Sequence, residues 1–151
     1  MMEISREVLG KIASDAIVPG EVYRMKLTRD EGVVPKNEGE DSRNKYFVVL
    51  GVNGDGSVVG FVLINTNVNR NIPVNLRKSH YLIKVEDYAF LEQNRYVCCG
   101  ELKEIETTVF FNRFLDGAVG RLSDEHLETV KAIMAQSDNV PVALMKKYGV
   151  I

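Results

Sequence analysis

The chain has 151 residues, 45% hydrophobic and 26% charged, with a formal net charge of -2, which is ordinary globular composition at a one-domain length. No apolar stretch approaches the ~20 residues of a membrane-spanning helix, and the near-neutral balance argues against a generic polyanion binder. The start, MMEISREVLGKIASDAIVPG, carries acids early and lacks a continuous apolar core of the signal-peptide kind, so a single cytoplasmic domain over residues 1–151 is expected.

Ser5 stands just before a helical pattern of Val8, Leu9 and Ile12, with Ile4 and Leu9 spaced as a hydrophobic staple. A short N-terminal helix is expected there. Pro19 and Gly20 then interrupt, and EVYRMKL alternates so that Tyr23, Met25 and Leu27 share one face of a strand while Arg24 and Lys26 share the other. Residues 28–44, TRDEGVVPKNEGEDSRN, read as a long loop, a length that in compact domains is usually functional or disordered.

YFVVLGV and VVGFVLI flank NGDGS, whose Asn-Gly and Asp-Gly pairs suit a tight hairpin. After the asparagine-rich NTNVNRN come IPVNL, HYLIKV and RYVCCGELKEI, each strand-like by β-branched or aromatic content. Adjacent Cys98 and Cys99 suit neither a metal site nor an ordinary disulfide, and read as reduced strand residues. In LSDEHLETVKAIMAQ, Ser123 is placed to cap a helix, Asp124 and Glu125 suit its positive end, and Leu122 with Leu127 form a staple. Leu127, Val130, Ile133 and Met134 make the apolar stripe. VPVALMKKYG is expected to add a short helix ending at Gly149. Strands in series, tight turns and a late helix give a mainly β, α+β expectation: a small curved sheet or barrel with a C-terminal helix and a short N-terminal one.

Charge is unevenly placed. Between residues 43 and 84 the cations Arg43, Lys45, Arg70, Arg77, Lys78 and Lys84 face a single acid, Asp55, a surplus of five that the rest of the chain must offset with -7. His80 stands within this segment, and histidine is the usual proton carrier near neutral pH; His126, beside acids in a helical first turn, reads as structural or exposed. Tyr46 and Phe47 beside cations have the chemistry to stack unpaired bases, though aromatics entering a barrel strand more often fill its core. Solvated strand charges, edge cations that discourage aggregation and a strand-ending Thr66 are the plain structural readings. No phosphate-loop, paired-carboxylate, zinc or Ser-His-Asp pattern stands out.

GEVYRMKL, a long variable loop, a cation opening an apolar strand, and a hairpin into a strand ending in threonine together resemble the MazF/PemK family of toxin endoribonucleases. RYVCCGELKEIETTVF, Gly120 and LSDEHLETVKAIM continue the resemblance, over roughly residues 20 to 137. It implies an SH3-like barrel that dimerises, cuts single-stranded RNA without a metal or other cofactor, and is neutralised by an antitoxin protein. Neither DNA nor a membrane is an implied partner. Where the family has arginine followed by proline, this chain has Lys45-Tyr46, with Arg43 two residues earlier; Thr66 matches the family's catalytic threonine, without its preceding proline.

Cleaving RNA through its 2′-hydroxyl requires a base, an acid for the departing 5′-oxygen, and donors or positive charge for the phosphorane. The resemblance assigns the last role to Thr66 with a cation, for which Lys45 by position competes with Arg43 by its bidentate fork. Arg70, Arg77, Lys78 and His80 are the candidate RNA contacts. The alternative is a catalytically silent SH3-like barrel that binds a protein or peptide in the same groove.

Overall fold

The computed structural model describes residues 6–28, 42–66, 79–113 and 117–151. Its centre is an antiparallel sheet of seven strands, curled into a half-barrel, with four helices around it. The strands are β1 (Glu21–Thr28), β2 (Ser42–Val52), β3 (Val58–Asn65), β4 (His80–Ile83), β5 (Arg95–Cys98), β6 (Lys103–Glu106) and β7 (Gly120–Arg121). Their order is β4-β5-β3-β2-β1-β7, with β6 also paired to β3. The helices are α1 (Arg6–Ala16), α2 (Thr107–Arg113), α3 (Asp124–Ala135) and α4 (Val142–Lys147). No helix among the described residues is long and apolar enough to cross a membrane.

β3 is central, and its run VVGFVLIN is buried at six successive positions because both faces are covered. On one face Val22, Val48, Leu50, Val62, Ile64 and Val97 pack with Leu127, Val130 and Met134 of α3 and Met145 of α4. On the other, Tyr23, Met25, Leu27, Phe47, Val49 and Phe61 pack with Ala13 and Ile17, from α1 and the turn after it, and with Phe110 of α2. β1 keeps the expected alternation, with Met25 and Leu27 buried and Arg24 and Lys26 exposed.

Local chemistry explains the turns. In the β2–β3 hairpin Asp55 accepts from the Ser57 backbone N–H at 2.9 Å, Asn53 accepts from Val58 N–H at 3.0 Å, and Gly56 takes a positive φ of 73°. Ser123 caps α3 by accepting from His126 N–H at 3.2 Å. Gly149, at φ 70°, follows the C-cap of α4.

Several expectations shift. α1 forms, but it buries Ala13, while Val8 and Ile12 are 52% and 42% exposed; Ser5 lies outside the described residues. β2 begins at Ser42, inside the stretch read as loop. IPVNL lies outside the described residues. TTVF, which by the family resemblance belongs with the last strands, instead opens α2 directly after β6, because Thr107 donates to Gly56 O at 2.6 Å and Phe110 packs against Tyr23 and Phe47. Cys98 and Cys99 are free and buried, the first closing β5 and the second following it.

Candidate functional site

Register decides which side chains meet at the end of the sheet where β1 ends and β2 begins. Arg24 pairs with Tyr46, Tyr46 with Ile64, and Ile64 with Val97, so these four form one cross-strand row. Directly opposed residues share a face. One row further toward the end, Lys26 pairs with Asn44, and the β2–β3 register continued by two residues and the β3–β5 register continued by one set Thr66 between Asn44 and Arg95.

Arg24, Asn44, Tyr46, Ile64, Thr66 and Arg95 from these two rows line a small pocket, and Lys45 lines it as well. Its volume is about 80 Å³, well under the roughly 300–1,000 Å³ that encloses a drug-sized ligand. It suits one polar group of a larger molecule passing over it.

The pocket is built around Tyr46. The Arg95 guanidinium stands over its ring at 4.7 Å and that of Arg24 at 5.5 Å, while Phe90 packs on it with centroids 6.1 Å apart. Arg95 Nε is buried with no hydrogen-bond partner among the described residues. Phe47, by contrast, is fully buried core.

Lys45 stands apart. The pleat sends it to the face opposite Tyr46, where it pairs with Met25, and its Nζ donates to Asn65 Oδ1 at 2.5 Å. Lys45 and Thr66 therefore border one pocket from opposite faces. Arg43 pairs through its backbone with Leu27, and so belongs to the strand rather than to a loop before it; its side chain lies outside what the structure describes. Arg70, Arg77 and Lys78 also lie outside the described residues.

His80 is half-buried and pairs with Cys98, three residues from Ile83, which pairs with Arg95. That separation is about 10 Å along the strand, and His80 does not line the pocket. His126 is structural: its Nδ1 lies 2.5 Å from the Tyr88 hydroxyl, which also accepts from Ser123 N–H at 3.0 Å. Among the described residues no group of three or more His, Cys, Asp or Glu could hold a metal ion.

Sequence reasoning missed Arg24 and Arg95. Arg24 was legible as the polar face of β1; Arg95 carried no local signal, since only the β3–β5 pairing brings it beside Thr66. Near the site, burial pushes the Cys98 thiol up to about 11, with Glu101 adding to the rise and Lys103 and Lys45 opposing it, so it is a neutral thiol at ordinary pH. No family model matches the chain, and no curated protein matches it.

Proposed function

We propose that this protein is a metal-independent endoribonuclease of the toxin–antitoxin kind, which holds a phosphodiester of single-stranded RNA in the pocket beside Thr66. The supporting observation is that Thr66, which matches the resembled family's catalytic threonine, lines a small polar pocket together with Lys45, Arg24 and Arg95. A hydroxyl and guanidinium donors are what a phosphorane needs as its charge develops. In such a step the substrate's 2′-oxygen attacks phosphorus, the bond to the 5′-oxygen breaks, and that oxygen leaves with a proton. The products are a 2′,3′-cyclic phosphate and a 5′-hydroxyl end. The half-barrel with a C-terminal helix fits an SH3-like barrel of the toxin type, and with it come homodimerisation and an antitoxin partner as parts of the proposal.

One observation favours a second reading. The described lining residues include neither a carboxylate nor an imidazole, the groups that most often carry protons in acid–base catalysis. That suits a barrel which binds an anionic partner without cutting it. Cleavage of a mixed-sequence RNA in EDTA separates the two. Wild type should cut, and Thr66→Ala should cut roughly 10²–10³-fold more slowly with little change in RNA affinity. Lys45→Ala and Arg43→Ala run beside it test the two cations that the sequence nominates. A folded wild type that leaves every RNA intact would establish the binding reading instead.

A further inference from the structure

We infer that Arg24 and Arg95, rather than Lys45, form the pair that holds the phosphate of the bound strand, with Tyr46 as the plate that positions them. The inference rests on the reading of the pocket as a nucleic-acid site, and it reassigns the cation within it. Three observations carry it.

The first is the face. Arg24 opposes Tyr46, and the continued register puts Arg95 in a row with Thr66, whereas Lys45 starts from the other side of the sheet and is held by Asn65. Whatever ligand reaches the Thr66 hydroxyl reaches the two arginines on the same surface.

The second is preorganisation. Both guanidinium groups stand over one aromatic ring that is itself backed by Phe90, so ordering them on binding costs less entropy than ordering two free chains. Phe90 in turn lies against Gly120, with no room for a Cβ between them, which fixes the back of the plate.

The third is unspent donor capacity. Among the described residues neither arginine is joined to a carboxylate, and Arg95 Nε is buried without a partner. A buried donor left unpaired is destabilising, and a phosphate oxygen is an acceptor of the geometry that guanidinium binds in two-pronged fashion. The pocket's volume of about 80 Å³ admits one such group, not a nucleotide.

The test uses a 2′-O-methyl oligoribonucleotide, which lacks the attacking hydroxyl, so binding is read without cleavage. Its affinity is measured across salt concentrations for wild type, Arg24→Gln, Arg95→Gln, Arg95→Lys and Lys45→Gln. Each arginine-to-glutamine change should reduce the slope of log affinity against log salt by about 0.7. It should also weaken binding roughly tenfold, equally for every sequence tried. Arg95→Lys should recover the slope but not the full affinity, because charge returns without the fork. Lys45→Gln should lower the slope by less than either arginine change, because its Nζ is already engaged by Asn65.

Unchanged slopes in both glutamine variants overturn the inference, as does a slope lost only in Lys45→Gln. If Arg95→Gln lowers the melting temperature, exposed Arg24 still decides. A polyglutamate peptide that displaces the oligonucleotide at equal charge concentration also overturns it, by making the pocket a carboxylate site. The cleavage reading fails separately: a wild type that binds with the expected slope yet leaves unmodified RNA intact keeps the arginine pair and removes the nuclease. One that cuts RNA while its glutamine variants keep the slope does the reverse.

Discussion

Tyr148 shows how much one side chain past the last helix contributes. Its ring lies against Gly60 so closely that a Cβ there would come within 2.7 Å of it, and its hydroxyl meets Glu104 at 2.5 Å, beside Lys147 at 2.7 Å. Burial pushes the Glu104 carboxyl up, but the hydrogen bonds from Lys147 and Tyr148 outweigh it and hold the group below its usual value. A carboxyl lowered in the folded state contributes stability that is present above its unfolded pKa and lost as pH falls through the folded one. Tyr148 moves the other way: burial first, then the Glu104 hydrogen bond and charge, raise its phenol well above the ordinary value. Tyr23 is likewise pushed up to about 12, by burial and then by Glu21. A raised phenol contributes stability that is full below its unfolded pKa of about 10 and lost as pH rises through the folded value. Urea midpoints measured against pH should therefore fall on both the acid and the alkaline side, and Glu104→Gln should flatten the acid arm and lessen the alkaline one. A variant curve that overlays wild type at both extremes would show that this cluster adds nothing.

Among the elements, α3 is the one whose stability can be traced group by group. Its N-terminus carries the Ser123 cap, Asp124 and Glu125 on the positive end, and the Tyr88 hydroxyl accepting from Ser123 N–H. From there an aromatic file runs Tyr88, Phe90, Tyr46, with centroids 5.5 and 6.1 Å apart, linking the helix cap to the pocket plate. Ser123→Ala should cost about 1 kcal/mol of global stability, read from denaturant titration, while Ser123→Asp should retain most of it. Equal loss in both variants would mean that the cap is not the cause. α2 differs from α3 in kind: its TTVFF segment has strand composition, and it is helical because the Thr107 bond to the hairpin and the burial of Phe110 outweigh propensity.

At the scale of the whole molecule, the sheet divides the protein into two cores, one under α3 and α4 and one under α1 and α2. The proposed toxin-like assembly is a homodimer, so light scattering at micromolar concentration should return about twice the 17.0 kDa chain mass. A single 17.0 kDa species persisting to high concentration would remove the dimer from the proposal without touching the pocket.

The sequence by itself determined what depends on neighbours along the chain. The alternation in EVYRMKL set which face of β1 is buried, NGDGS set the hairpin, and Ser123 with Leu127 and Val130 set α3, each through spacing and local hydrogen bonds that need no partner from elsewhere. His126 was legible only as structural or exposed, since the Tyr88 hydroxyl it meets comes from 38 positions away, and Thr66 stood out through the family resemblance. Register across strands is not a local property. A shift of one residue moves a side chain to the other face, and that parity separates Lys45, opposite Met25 and bonded to Asn65, from Tyr46 and the two arginines. Arg95 is 29 positions beyond Thr66 in the chain, so only strand pairing sets it beside the hydroxyl. The same holds for α2, where contacts with the hairpin and with Tyr23 overturned the preference of its own residues. Tertiary structure decided these because burial and pairing energies act between segments, and they exceed the few tenths of a kcal/mol by which local propensities differ.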